Sequence, residues 1–549
     1  MRIDLILWPD SPPVRWEHGE QRRLPATTAD AARAIAEHLA QGDPEWLLFW
    51  DGRCGHPPAE PLQRWMRRGA DAVHGGLNAG AGGQPEALEY VVSDWSWIDA
   101  PADRITTSWR LSLRCALLRT TALRTVGGLD PAFETLEGAG LEVGYRLLRR
   151  GGLVFHDPGC LPRPLEGCPP TLTDCYVFVR RWFKPHWTRY LQLRRLMGGC
   201  SPLSEMRAAA AATRACGEWK APDHTAVIPR MEYPPGRPPR PSITAVIPTL
   251  GRYPYVPAAL SSLAEQTVRP EEILVVDQNP ADSRRPEVYE PYSGMNVRVL
   301  WQDQRGQSLA RNVAIAEAQG EYLFLFEDDA VAEPDLIEQH LRLLHACEAD
   351  VSTGVSLPPP PTDYVLPEEF RFPRVAQTFS SGNSLLTRRA LGLAGGFDRN
   401  YDHGVNADMD FGTRLYLAGG VIVHNPHAVM VHYKAPMGGL REYGHWWAHS
   451  NVGLLRPFPP PTQVYYMLRF LTPRQRRERL LRFITLAALG WDKRQSHGRR
   501  SRLGRVLHGV ASMPLMPYRL SRSFSEATRL LAEGPQIPAP PEPRIKAVA

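Results

Sequence analysis

Residues 321–329 read Glu-Tyr-Leu-Phe-Leu-Phe-Glu-Asp-Asp. An apolar run of strand length ends there in three adjacent carboxylates. Upstream, 297–301 is a short apolar strand, and Glu272-Ile-Leu-Val-Val-Asp277 is a strand that reads as buried and ends in a carboxylate. Residues 243–247 form another β-rich run, followed by Pro248-Thr-Leu-Gly-Arg252. Helical stretches at 256–265 and 308–319 separate these strands. Short apolar strands alternating with helices predict an α/β fold with a mostly parallel, doubly wound sheet. Such sheets bind ligands at the C-terminal ends of their strands, which would gather Thr249, Arg252, Asp277 and Glu327-Asp328-Asp329 at one edge.

Three adjoining carboxylates repel one another unless a cation neutralises them. Oxygen ligands select a hard divalent ion, Mg²⁺ or Mn²⁺, which brings a diphosphate with it. A solvated acidic turn is the competing reading, and the position at a strand end weighs against it. Further on, Asn406-Ala-Asp-Met-Asp-Phe-Gly412 sets Asp408 and Asp410 before a helical stretch at 411–418. Side chains two apart do not share a helix face, so one is expected to face the cleft and the other to cap the helix. Spacing alone allows capping for both. His432 ends a short apolar run, where a lone histidine is more often structural than a ligand.

Taken together, 243–432 resembles the family 2 glycosyltransferases of the GT-A fold. The shared features are Ile-Pro-Thr-x-x-Arg after the first strand, Val-Val-Asp at 275–277, Ala-Arg-Asn at 310–312 and the acidic triplet. Ser-Gly-Asn at 381–383, Gly-Gly-Phe-Asp at 395–398 and Ala-Asp-Met-Asp-Phe-Gly follow in the family's order. The chain departs from the pattern at Glu327, where the triplet usually begins with Asp, and at Ala407, which replaces an acidic residue. The resemblance implies a nucleotide-sugar donor held by Thr249, Arg252, Asp277, Arg311 and Asn312, with Glu327 and Asp328 positioning donor and metal. It implies Asp329 as the ligand of a Mn²⁺ or Mg²⁺ cofactor, His432 as a further ligand, and Asp408 as the general base of an inverting transfer. Asn383 and the pair Trp446-Trp447, whose rings could stack on a sugar face, are the expected acceptor contacts. The expected acceptor is a glycan or lipid-linked glycan, in envelope polysaccharide synthesis.

A second, weaker copy precedes this one. Residues 122–158 align without a gap to 390–426, with 13 of 37 positions identical, where average composition gives about two or three. Upstream, Trp46-Leu-Leu-Phe-Trp-Asp-Gly-Arg53 matches 322–329 in pattern. The order of the pieces is the same in both halves, which predicts a tandem duplication. Yet Arg53 stands at the Asp329 position, Gly52 at Asp328, Gly140 at Asp408 and Pro164 at His432. The first copy, 1–165, is therefore expected to keep the fold without the chemistry. The expected remainder is a helical bridge and Pro-rich linker at 166–240, the catalytic domain at 241–440, a helical basic region at 441–534 and a disordered tail at 535–549.

Length and charge fit this division. The 549 residues, 43% hydrophobic and 22% charged, exclude a disordered or fibrous chain and suggest two to four domains. Residues 451–549 carry 18 Lys+Arg against 5 Asp+Glu, and the rest carries 46 against 53. With Leu503, Val506, Leu507 and Val510 at helical spacing beside arginines, the tail suits either an anionic membrane surface or the enzyme's own flank. No nucleic-acid reader motif accompanies the charge. The N-terminus lacks a leader's pattern, no run of about 18 apolar residues occurs, and the 8 cysteines form no CxxC pair, so the chain reads as cytoplasmic. Two rival functions stay open: a non-catalytic nucleotide-sugar or carbohydrate scaffold, and, more remotely, a nucleotidyltransferase.

Overall fold

A computed structural model describes residues 2–68, 70–83, 85–91, 98–161, 164–167, 169–217, 241–377, 379–439, 455–489 and 502–539. The chain divides into two compact units. One holds Met1–Tyr233 with Pro367–Val375 and Tyr416–Val421; the other holds Pro234–Leu366, Ala376–Leu415 and Ile422–Ala549.

Among the described residues the first unit carries seven strands: β1 (Ile3–Leu7), β2 (Gln21–Arg23), β3 (Trp46–Trp50), β4 (Ala72–His74), β5 (Thr106–Thr107), β6 (Cys115–Arg119) and β7 (Val154–His156). They lie in the order β2-β1-β3-β6-β4-β7-β5. The second carries β8 (Ile243–Thr249), β9 (Glu272–Asp277), β10 (Val297–Trp301), β11 (Tyr322–Phe326), β12 (Ala330–Ala332), β13 (Val351–Leu357), β14 (Asn383–Thr387) and β15 (Ile422–His432). Their order is β10-β9-β8-β11-β14-β13-β15-β12. The predicted strands at 272–277 and 297–301 match residue for residue. The sheet is mixed rather than wholly parallel, because β14 runs antiparallel to both β11 and β13.

The core of the second sheet follows from strand geometry. Successive side chains point to opposite faces, so a strand covered on both sides must be apolar throughout. Ala245 and Ile247 of β8 pack on one side with Phe324, Phe326, Leu260 and Leu341. Val246, Leu323 and Leu325 pack on the other with Ala314, Phe397 and Phe411. Helices Val256–Ala264 and Leu336–Ala346 supply the first layer, and Gln307–Glu317 and Ala407–Leu417 the second.

The two sheets have a common plan. Strands β2-β1-β3-β6-β4-β7 and β9-β8-β11-β14-β13-β15 occur in corresponding order, and every corresponding pair runs in the same sense. The detail extends to side chains. Buried Arg146 pairs with Glu142 at 2.6 Å and donates to the carbonyls of Val126 and Gly128. Arg414 pairs with Asp410 at 2.7 Å and donates to those of Ala394 and Gly396. Next to each turn an aspartate takes an arginine from a later helix: Arg181 on Asp130 at 2.8 Å, Arg469 on Asp398 at 3.0 Å.

One expectation needs correction. The tail does not begin as a disordered segment at 535. The amide of Gln536 donates to the Asp398 carboxylate at 3.0 Å, and the carbonyls of Gln536 and Pro538 accept from Arg399 and Gly396, both at 3.1 Å. Residues 534–539 are thus an ordered strap; the rest of the tail lies outside the described residues. The helical bridge includes Leu172–Trp182 and Pro185–Met197, which are separated where Pro185 can only begin a helix. No described helix is long and apolar enough to cross a membrane.

Candidate active site

Strand pairing assembles the site. β11 ends at Phe326, and the chain continues through Glu327-Asp328-Asp329 into β12, which pairs antiparallel with β15 so that Ala330 faces His432. That register brings His432, more than a hundred residues away, against Asp329: Nε2 lies 3.2 Å from Oδ1. The amide of Ala435 donates to the other Asp329 oxygen at 2.6 Å. Arg252, from the loop after β8, places Nη1 2.8 Å from Asp328 and 3.1 Å from Asp329, while its Nε donates to the Met437 carbonyl at 3.1 Å. Arg252 therefore spans the acidic pair instead of pointing at open solvent, and is 8% exposed.

The two aspartates differ electrostatically. Burial is the main influence on Asp328, with its neighbour Asp329 adding to it and Arg252 opposing, and the carboxyl is pushed up to about 6. Burial pushes Asp329 the same way but is outweighed by His432, Arg252 and the Ala435 amide, which hold it at about 2. Ligand oxygens of Glu327, Asp328 and Asp329 lie within 4.8 Å of one another, so the set is compact enough for one hard cation. Glu327 is the least buried member. It lies 3.4 Å from Arg311, and a side chain on Gly382 would strike it at 2.4 Å, so that glycine keeps room for it.

Asp408 enters from the first turn of helix Ala407–Leu417 and accepts the Ser381 amide at 3.3 Å. Burial raises its pKa, Glu327 adds to that, and Arg311 and Ser381 oppose it. Asp410 was expected to share in capping, but it is fully buried with Arg414 and Arg469 and accepts from Tyr401 at 3.3 Å. The two carboxylates do have different jobs; the second ties elements together rather than capping.

Several of the other expected ligand contacts make hydrogen bonds within the protein. Asp277 accepts from Tyr253 at 2.7 Å and Tyr289 at 2.8 Å on one oxygen, and from the Asn279 amide and side chain on the other. Its carboxylate is committed to the protein, so it shapes the strand end through two tyrosines. Thr249, opposite Asp277 in register, has a buried hydroxyl with no hydrogen-bond partner among the described residues. Asn312 pairs its amide with both backbone groups of Phe397, at 2.8 Å each, which fixes its orientation beside the turn. Asn383, expected at the acceptor, is fully buried in the sheet, bonded to His340 at 2.9 Å and to the carbonyls of Val355 and Ala428. Trp446 and Trp447 lie outside the described residues. Sequence reading missed Tyr253, Tyr289, Ser381 and Ala435. Only Ser381 carried a signal, because it belongs to the same short motif as Asn383.

The corresponding edge of the first sheet is closed by its own charges. Asp51 is buried and takes Arg53 at 2.5 Å and Arg114 at 2.8 Å; Arg114 reaches Glu137 at 2.6 Å and lies 4.1 Å over the Trp8 ring. A side chain on Gly52 would meet the Pro12 carbonyl at 2.3 Å, and one on Gly140 would meet the chain at Leu111–Leu113 at 3.2 Å.

The family described as Glycosyl transferase family 2 matches residues 244–388. EpsH of Bacillus subtilis is 33% identical over 104 residues, covering 19% of this chain and 30% of that protein. Glycosyltransferase GlyA of Streptococcus pneumoniae is 29% identical over 114 residues, covering 20% and 16%. The chain thus spans less than a third of the length of either relative. Among solved structures, the mannosyltransferase PcManGT from Pyrobaculum calidifontis, in complex with GDP-Man and Mn²⁺, aligns with a TM-score of 0.35 and 17% identity over 55% of this chain and 90% of that one.

Proposed function

We propose that this chain, which carries a family 2 glycosyltransferase domain over residues 244–388, moves a sugar from a nucleotide-diphosphate donor to a hydroxyl of a glycan or glycolipid acceptor, with inversion. The observation that carries the reading is the buried pair Asp328–Asp329, bridged by Arg252 and flanked by His432, at a strand end that also receives Asp408. Two buried carboxylates held by one guanidinium are poorly neutralised, and the imbalance suits a second cation.

Asp329, with Asp328 and His432, would hold Mn²⁺ or Mg²⁺, and the compact carboxylate oxygens of Glu327, Asp328 and Asp329 fit such an ion. When bound, that ion would offset the charge building on the departing diphosphate. The chain's own groups do the rest. Thr249 and Arg311, buried at the same edge, orient the donor. Asp408 takes the proton of the acceptor hydroxyl as its oxygen forms the new bond to the anomeric carbon. The bond from that carbon to the phosphate oxygen breaks, the electron pair leaves with the diphosphate, and attack from the far face inverts the centre. Burial of Asp408 raises its basicity, which is what a general base requires.

The first unit is proposed to be a decayed copy whose metal seat has become an internal ion network of Asp51, Arg53, Arg114 and Glu137. The product is proposed to belong to envelope polysaccharide synthesis, at the inner membrane face. The test is calorimetric titration of nucleoside diphosphates, with and without Mn²⁺, into wild type and Asp329→Ala. Metal-dependent binding that the substitution abolishes supports the transferase; no binding to either protein leaves a scaffold of two retired domains.

A further inference from the structure

Equivalent strands of the two sheets are covered differently. Strand pairing puts Ile3 of β1 opposite Trp46 of β3, and Ile243 of β8 opposite Tyr322 of β11, so Ile3 and Ile243 occupy the same place. Ile243 is sealed in a core that includes Val256, Leu260 and Leu263 of helix Val256–Ala264, the crossover between β8 and β9. The crossover between β1 and β2 is shorter, and residues 8–20 contain no helix. In the first unit the helix seat is open, and Ile3 lines a cavity of ≈ 540 Å³. That volume lies inside the range of roughly 300–1,000 Å³ common to small-molecule sites.

The lining has a definite chemistry. Leu62 and Met66, one turn apart on helix Ala59–Arg68, are buried and provide an apolar side. Trp16 forms a wall. Its indole N–H donates to the Ile3 carbonyl at 2.9 Å, which fixes the ring, and His18 stands edge-on with centroids 5.1 Å apart. The rim is polar: His56 and Gln63 are exposed, and Arg15 and Glu17 neutralise each other at 2.6 Å. A fixed aromatic face, an apolar side and neutral hydrogen-bonding groups at the edge match a pyranose ring, which offers C–H groups on its faces and hydroxyls around its rim. The paired charges give no net field for an anion such as a diphosphate.

We propose that this vacated helix seat is a binding site for a neutral saccharide unit. Its identification as part of the acceptor glycan rests on the transferase reading; the binding itself does not. The experiment is saturation-transfer NMR on the full-length chain with the methyl glycosides of glucose, galactose, mannose and N-acetylglucosamine. At least one should receive saturation at its ring protons, and Trp16→Ala should cut that transfer at least fivefold. Gln63→Ala, at an exposed position that leaves the fold intact, should weaken it about two- to threefold and decides the matter if Trp16→Ala unfolds. Absence of transfer to all four glycosides, or transfer unchanged in the folded variants, overturns the site. Nucleotide calorimetry reports separately on the other unit, so failure of one does not imply failure of the other.

Discussion

Arg252 holds two buried carboxylates that would otherwise repel each other. Removing one partner of a buried ion pair leaves an uncompensated charge, at a cost of about 3–5 kcal/mol. Arg252→Met should therefore lower the denaturation midpoint in chelator, and millimolar Mn²⁺ should recover part of the loss; a midpoint indifferent to metal in both proteins argues against a cation seat. At Asp408 the expectation is kinetic. Asp408→Asn should lower kcat by about 10²–10⁴ while nucleoside diphosphate affinity stays within about twofold. A parallel loss of both would make Asp408 structural. Two histidines give a pH dependence. His340 is bonded to Ser352 and Asn383, and burial brings it down to about 4; burial and the nearby His156 bring His74 down to about 3. Both are neutral when folded and gain a proton near 6.5 when unfolded, so their stability is complete above 6.5 and is lost as pH falls toward their folded values. At pH 5 each should cost about 2 kcal/mol relative to pH 7.5, read as a lower urea midpoint, and His340→Gln should flatten the slope of its unit.

At the scale of elements, corresponding arginines hold corresponding turns. Arg146 and Arg414 each tie a helix to the carbonyls of a glycine turn and to a carboxylate four residues earlier. Arg146→Ala strands the buried Glu142 and should lose about 3–5 kcal/mol in chemical denaturation, whereas Arg414→Ala leaves Asp410 paired with Arg469 and should lose less; a loss below about 1 kcal/mol in Arg146→Ala would mean that the turn holds itself. Strands, helices and the strand-end carboxylates were legible in the sequence because apolar runs and their abrupt polar ends report burial directly. The functions of Asn312 and Asn383 were not. An amide in a short motif looks the same whether it meets a ligand or a backbone, and here both tie backbone. Tyr253 and Tyr289 were hidden for another reason: their target Asp277 is distant in sequence, and only the fold brings them together. The strap at 534–539 has no periodicity to read, because its order comes from backbone bonds to Gly396 and Arg399.

For the whole molecule, one strand plan serves two opposite electrostatic outcomes. The second sheet ends in carboxylates that are short of cations; the first ends in a self-neutralised network around Asp51. Restoring an acid to the first sheet should therefore not restore function. Arg53→Asp in an Asp329→Ala background should show no Mn²⁺-dependent nucleotide binding by calorimetry, because Arg114 still occupies Asp51 and the Pro12 carbonyl closes the position at Gly52. Binding regained by that single change would mean that the first sheet is dormant, not decayed.

The strap also bears on how the protein ages. Pro538 lies against Gly396, whose neighbour Phe397 stacks on Phe411 at 4.8 Å, three residues from Asp408 on the same helix. A carboxypeptidase that nibbles past residue 534 would thus reach the helix that carries Asp408 from its far side. Storage losses in activity should track the mass of the C-terminus, and a preparation clipped at Glu533 should fade first even though every residue of the proposed chemistry is still present.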